Sequence, residues 1–532
     1  MVLKCEIRDS GREASMEEYG LDALAASAEL VMAGLGPLVA GFAGLAVEAG
    51  RAATLDAMEL LVIGQGRELL RGVIQHGLDA QAAAEARLPR VTGADGVPRT
   101  RAERGHARTV VTMLGAVKVA RIAYRAAAKG VPALFPRDAV LNLPRCGYSW
   151  RLQRLAVSFT RSGSYEQARE FVAAATGVSI GKRQLEQITA GAAADAPGFY
   201  PVLAGDQEQG QPRPGEPVMP LAISADGKGV AMRPEARRAE TARKARKRAP
   251  RAFGSRLGTG QKAGHKRIAE TGAVFDVLPP DEPRTPEQIM GRAPGEPAPP
   301  GPKAVNRWYT VEITASRAET IAALFGQAER RDPGHARPWI ALADGDRHQI
   351  EVICAEAAAR GISITILVDF IHVLEYLWKA AWCFHAPRDP AVEDWVTAQG
   401  LDILHGRVTE VISRIGALAA ADPPRPGSEH DKIIRTTVAY LQAKEPYLDY
   451  PRALASGWPV ATGVIEGACR HLVADRMGIT GARWSVEGAQ AILQLRAIAA
   501  SGDLDDYWNH HIAREHQRNH LSRYQDTLGL AA

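Results

Sequence analysis

Four acidic positions in this chain stand where chemistry could be done. They are Asp226 in Ala225-Asp-Gly-Lys-Gly-Val230, Asp344 in Ala343-Asp-Gly345, Asp369 in Asp369-Phe-Ile-His372, and Glu466 in Gly463-Val-Ile-Glu-Gly-Ala-Cys-Arg470. The first three each close a short apolar run, which predicts strand ends, the places where open α/β sheets assemble their sites. Glu466 opens a helical pattern with Arg470 and Val473 on the same face. Carboxylates are hard oxygen ligands that suit Mg²⁺ or Mn²⁺. Two such ions about 4 Å apart can stabilise both the attacking and the leaving oxygen of an in-line phosphoryl displacement. Taken singly these residues say little, because Asp-Gly is a common turn and a Glu near a helix start merely complements the dipole. The inference rests on the constellation.

The elements that must carry these acids can be read from periodicity. Trp339 to Ala343 is a short apolar run ending at Asp344-Gly345, and Ile350 to Arg360 has helical spacing with Gly361 as its stop. Ile362 to Val368 is the most β-branched run in the chain and ends at Asp369; a run apolar on both faces suits a central strand. Leu221 to Asp226 reads as an earlier strand closed by an acid and a glycine turn. Arg267 to Val277 and Trp308 to Thr314 read as two more, separated by the Pro/Gly-rich loop Pro279 to Pro302, and Ser316 to Arg330 reads as a helix. The order is thus strand (Asp226), strand, strand, helix, strand (Asp344), helix, strand (Asp369), with Glu466 on a later helix. That is the order of an RNase H-like core. Residues from Glu375 to about Pro459 are helical in pattern and look inserted before Glu466.

Residues 15 to 90 are Ala/Leu-rich with helical spacing, and the uncharged run Leu30 to Val47 is expected to be a buried helical hairpin rather than a membrane span. Arg99 to Arg108 reads as a basic connector and Thr109 to Tyr124 as a β-hairpin around Leu114-Gly115, followed by a loop from Asp138 to Pro144. Ser164 to Gly177 and Val178 to Ile188 have helix-turn-helix spacing, with Lys182 and Arg183 near the start of the second helix; an ordinary αα-hairpin reads the same way.

Net charge is only +5 over 532 residues, but its placement is uneven: Arg237 to Arg248 holds seven basic residues against one acid. With Lys228 nearby, Arg243, Lys244, Arg246, Lys247 and Arg248 form a basic insertion able to hold a polyanion on an acidic site. The five cysteines are scattered without a C-x-x-C pair, which fits a reducing cytosol and argues against a zinc ribbon. His516 and His520 have metal-ligand spacing but lack the Glu of a zinc-protease motif.

The motifs Ala225-Asp-Gly-Lys-Gly-Val230, Asp369-Phe-Ile-His-Val-Leu-Glu-Tyr-Leu-Trp378, Gly463 to Arg470 and Arg476-Met-Gly-Ile-Thr-Gly-Ala-Arg-Trp-Ser-Val-Glu-Gly-Ala-Gln490 resemble those of DDE-type transposases of bacterial insertion sequences, the ISKra-type group in particular. The resemblance runs from about residue 107 to 500. It implies an α/β multidomain protein whose RNase H-like (retroviral-integrase-like) core carries an all-helical insertion and follows mainly helical DNA-binding domains. It implies Asp226, Asp344 and Glu466 as catalytic, metal-binding acids for two Mg²⁺, with Mn²⁺ as a substitute. Asp369 is the rival middle acid, with His372 as its accessory in an Asp-x-x-His motif. Arg470, Arg476, Arg483 and Trp484 join the DNA-contacting set, Trp484 as a surface on which a base could stack.

The expected domains are 1–98 (helical), 99–200 (hairpin and helix-turn-helix-like), 215–384 (core, with basic insertion 233–266), 385–459 (helical insertion), 460–503 (core helices) and 504–532 (tail). The expected activity is binding of terminal inverted repeats, with cleavage and strand transfer of double-stranded DNA, in a bacterial cytoplasm and without membrane attachment. Synapsis of two ends implies a homo-oligomer, although there are no coiled-coil heptads. Two alternatives from other classes are a metal-dependent nuclease without strand transfer and a non-catalytic DNA-binding protein.

Overall fold

The computed structural model describes residues 21–206, 218–246, 266–291, 297 and 299–525, with side chains left undescribed at 21–35, 204–206, 244–246 and 480. It is a mixed α/β protein of two compact units. One takes the described residues up to Phe159, Tyr165–Ile188 and those from His511 onward; the other takes Thr160–Ser164 and Thr189–His510.

In the first unit, helices Leu21–Gly50 and Leu55–Ala84 form a hairpin, the second opened by the Thr54 side chain accepting from the Ala57 N–H. The helices meet closely at glycines: a Cβ on Gly41 would lie 2.5 Å from Leu69 Cδ2. The run Leu30 to Val47, expected as a buried hairpin, instead lies within the first helix and is one arm of this pair. Val39, Phe42 and Val47 are exposed, as are Leu60, Val62, Ile63, Leu70 and Val73 on the second, because one helical neighbour covers only one stripe of each helix. Among the described residues no helix is long and apolar enough to cross a membrane. The β-hairpin pairs Arg101–Thr112 with Gly115–Arg125, turning at Gly115 with φ +117°. The basic stretch expected as a connector is therefore mostly strand. Its arginines find partners of their own: Arg99 pairs with Asp95 (2.9 Å), and Arg108 donates to the Arg145 carbonyl (3.0 Å). Asp138 lies not in a loop but in the short helix Pro136–Val140, buried against Arg121. Tyr165–Thr176, stopped by Gly177 at φ +72°, is followed by Lys182–Ala192, four residues later than the sequence pattern suggested.

The second unit is built on a five-stranded sheet. From one edge its strands are Lys303–Glu312, Lys266–Leu278, Leu221–Ala231, Trp339–Ala343 and Ile364–Val368. The first three run antiparallel, and the last two run parallel to Leu221–Ala231. Every residue of Trp339–Ala343 is buried, as its continuous apolar run requires. One expectation fails here: the Leu221 strand does not stop at Asp226-Gly227. It pairs without a break from Leu221↔Asp276 to Ala231↔Lys266, because the longer partner strand supplies hydrogen bonds straight through the glycines.

Helix starts follow their caps. Ser316 and Glu319 form a capping box for Arg317–Arg331, Asp346 caps Arg347–Arg360, and Asp369 caps Phe370–Phe384. Gly361, at φ +67°, ends the middle one. The expected helical block consists of Ala391–Leu404, Val408–Ala421, Glu429–Lys444 and Tyr450–Ala455. After it come Gly463–Ala468, a π-helical stretch Cys469–Ala474, and Val486–Ser501. The last runs along the edge strand, where Ser501 Oγ and Gln490 Oε1 accept the N–H groups of Tyr309 (2.9 Å) and Ile313 (2.9 Å).

Close packing of helix on sheet depends on Gly272 in the second strand, where a Cβ would stand 2.6 Å from Leu324 Cδ2 and 3.1 Å from Thr310 Cγ2. Gly272→Val is expected to cost about 1–3 kcal/mol through overpacking. Urea unfolding of both proteins checks it; an unchanged midpoint would contradict the tight contact.

Candidate functional site at the carboxyl ends of the parallel strands

The parallel register decides where the acids stand. Ser224, Leu342 and Leu367 form one row across three neighbouring strands. Asp226, Asp344 and Asp369 each come two residues later in their chains, so the register brings all three to the same end of the sheet. Adjacent strands are about 4.8 Å apart. The first stays within a strand, while the other two lie just past strand ends, as the apolar runs implied.

Each acid then meets different surroundings. Asp369 is 1% exposed. Its Oδ1 accepts the Ile371 N–H (2.8 Å), and its Oδ2 accepts the Thr462 N–H (3.1 Å) and the Thr462 hydroxyl. The backbone N–H of Asp369 also donates to the Ala343 carbonyl (2.8 Å), which locks the two strand ends together. Asp344 is half-buried, and its Oδ1 accepts the Asp346 N–H (2.8 Å), closing the turn into the next helix. Asp226 Oδ1 accepts its neighbour Gly227 N–H (2.6 Å), and the helix Arg347–Arg360 is pinned just before it by Gln349 Nε2 donating to the Ala225 carbonyl (2.6 Å).

Glu466 is exposed on Gly463–Ala468, and Thr462 places it beside Asp369. One ligand atom from each of Asp369, His372 and Glu466 lies within 4.8 Å of the others, the one such group of three found among the described residues. Sequence reasoning had Asp369 and His372 as alternatives; the structure joins them to Glu466. Cys469, three residues beyond Glu466, is buried against Asp226 and Thr271. Burial, and then the Asp226 charge, push its thiol up to about 12. Sequence reasoning missed Cys469 and Thr462; nothing in their local patterns marks either. The predicted Glu466–Arg470–Val473 face does not persist. Arg470 is exposed but Val473 is buried, because the π-helical stretch changes the residues per turn.

A third missed residue is Tyr440, stacked on Tyr376 with ring centroids 3.8 Å apart. Burial raises its hydroxyl well above the usual range, and Tyr376, Asp344 and Asp369 add to that. Tyr440 Oη, His372 Nδ1 and Gln349 Oε1 are buried without a hydrogen-bond partner among the described residues. Orphaned polar atoms beside carboxylates are what the water shell of a bound cation would satisfy. The group Asp369, His372 and Glu466 could hold a divalent cation: its carboxylates are hard ligands and its imidazole a softer one.

The basic set divides. Lys228, Arg243, Arg470 and Arg483 are exposed in the same unit as the acids, and Arg183 is exposed in the other. Lys182 is exposed there too but pairs with Glu166. Lys244 and Arg246 lie on helix Ala239–Arg246 without described side chains, and Lys247 and Arg248 lie outside the described residues. Two assignments need correction. Arg476 is 2% exposed; its Nε donates to the Thr160 carbonyl (2.8 Å), and its guanidinium sits 4.7 Å from the ring centre of Trp484. Trp484 is 6% exposed and donates its indole N–H to the Met477 carbonyl (3.1 Å). Burial removes both from the surface set: Arg476 supports the interior through a cation–π contact, and the indole face is not open to a base.

No protein-family model matches this chain, and no curated protein is significantly similar to it.

Thr462→Val removes one donor from a buried carboxylate and is expected to cost about 1–3 kcal/mol, read by urea unfolding. The Cys469 thiol, buried and pushed up to about 12, stays protonated at pH 8. It should resist a thiol-reactive dye in the folded protein and react on unfolding, whereas exposed Cys354 reacts in both states. Labelling of Cys469 in the native state would contradict the burial.

Proposed function

We propose that this chain is a DDE-type DNA transposase, a metal-dependent enzyme that cleaves DNA at element ends and joins the freed 3′ end to target DNA. The observation that carries the reading is the placement of Asp226, Asp344 and Asp369 two residues beyond the paired row Ser224, Leu342 and Leu367, with Glu466 brought to Asp369 from a distant helix. Supporting it is the sheet order, which in core numbering is 3-2-1-4-5 with an antiparallel first half and a parallel second half. That is the arrangement expected of an RNase H-like core, and the helical block between Phe384 and Thr462 corresponds to its insertion.

In this reading Asp226, Asp344 and Glu466 hold the metal ions. Asp369 has both oxygens engaged by Thr462 and the helix start, so it positions Glu466 rather than serving as the middle ligand. When bound, Mg²⁺ neutralises charge on the phosphoryl oxygens and activates the attacking hydroxyl. The chain's part is to hold the carboxylates at one end of the sheet and to present cations: Lys228 lies two residues beyond Asp226, and exposed Arg470 and Arg483 belong to the same unit. Double-stranded DNA is the partner, and synapsis of two ends calls for a homo-oligomer.

The test is cleavage of labelled DNA carrying the element's ends with Mg²⁺, Mn²⁺ or EDTA. Asp226→Ala and Asp344→Ala are expected to lose at least about a thousandfold of activity, as expected when positioned charge stabilisation is removed, while retaining end binding and melting temperature. Asp369→Ala should lose activity together with several degrees of thermal stability. Normal cutting by Asp226→Ala would overturn the assignment. Tight end binding by wild type without any cleavage would favour a non-catalytic DNA-binding protein.

A further inference from the structure

A second polar site lies in the same unit, lined by residues other than the acids of the row. A cavity of about 250 Å³ opens beside the edge strand Lys303–Glu312, lined among others by Tyr200, Arg307, Trp308, Arg330, Arg331 and Asp503. Its cations are poorly matched to the chain's own anions. Arg331 is largely buried, and its Nη1 has no hydrogen-bond partner among the described residues. The nearest carboxylate, Asp276, lies 3.8 Å from that atom. Asp276 is already engaged by Arg337 Nη2 (2.6 Å) on one oxygen and by Asn306 Nδ2 (2.7 Å) on the other.

Asp332, at the end of the same helix, accepts the backbone N–H groups of Ala336 (2.9 Å) and Arg337 (3.0 Å) and the indole N–H of Trp339 (2.9 Å). Arg330 donates only to the neutral Gln327 side chain among the hydrogen bonds described for it. The acids that do face the cavity are Asp503, which takes the Tyr200 hydroxyl (2.8 Å), and Asp506. Burial raises Asp503 above the usual carboxylate range. Burial first, and then Arg337 and Arg330, disfavour the charge on Arg331, with Asp276 and Asp503 opposing them; a bound anion would add to that opposition.

We propose that this cavity binds a phosphoryl group, with Arg331 and Arg330 as its principal donors and Arg307 at its rim. Guanidinium forks match phosphate oxygens in geometry as well as charge, and paired arginines without a dedicated carboxylate are what such a ligand requires. The cavity's volume accommodates a phosphate and part of its ester, with the Tyr200 and Trp308 rings, 5.4 Å apart and edge-on, as an aromatic wall. The shared chemistry has two sources, a phosphate of a nucleic-acid strand or a small phosphate ester. The proposal does not depend on the function assigned to the acidic row.

Calorimetric titration of the full chain with inorganic phosphate, at constant ionic strength against chloride, tests it. Saturable binding is expected in wild type and in Asp226→Ala, weakened at least about tenfold in Arg331→Gln and in Arg330→Gln. Arg307→Gln, at an exposed position, should weaken it less and serves if the buried variants fail to fold. No saturable binding, or binding unchanged in all three arginine variants, would overturn the site. Loss of phosphate binding in Asp226→Ala with retention in the arginine variants would also overturn it, by placing the phosphate on the acidic row. Competition by a short single-stranded oligonucleotide identifies nucleic acid as the source; persistence of phosphate binding in its presence identifies a small ester.

Discussion

The buried carboxylate of Asp369 is the constraint on which the acidic end of the sheet depends. It caps one helix through the Ile371 N–H and, from a position 93 residues away in sequence, holds the backbone N–H and hydroxyl of Thr462. Hydrogen bonds to an ionised group contribute about 1.5–3 kcal/mol each, so this one side chain joins the last parallel strand to the helix that carries Glu466. The helical block between them can then be long without loosening the site. A loop's closure cost grows only slowly with its length, and the Asp369–Thr462 junction sets where the chain returns.

The parallel half of the sheet supplies the second constraint. One register brings three acids to the same end of the sheet. The antiparallel half serves a different purpose. It extends the central strand past Asp226 as far as Ala231, keeping that acid on ordered backbone while Asp344 and Asp369 lie at helix entries. Tyr440, stacked on Tyr376, comes from the helical block to cover the gap beside Gly345, where a Cβ would stand 2.8 Å from its hydroxyl. The block is thus also a wall of the site.

Charge is distributed with similar economy. Exposed lysines and arginines occur in the unit that carries the acids, whereas the buried Arg476 is held by a carbonyl and the Trp484 ring. The arginines around Asp276 are too numerous for that one carboxylate, which makes the edge cavity a place where an outside anion has something to bind.

The order of strands and helices and the stop at Gly361 were legible locally, because period and left-handed glycine are properties of a few neighbouring residues. The three candidate aspartates were legible too, since each ends an apolar run. What the sequence could not supply was anything set by partners distant in the chain. The continuation of the central strand through Asp226-Gly227 needed the Lys266–Leu278 strand, and the exposure of Leu60 and Val73 followed from how little the neighbouring helix covers. The fate of Arg476 and Trp484 turned on burial, and the pairing of Asp369 with Thr462 and Glu466 on the return path of the chain. Local residue types thus determined which elements form and which groups could react; only the tertiary structure decided which of them meet, because register, burial and long-range hydrogen bonds have no signature within a single segment.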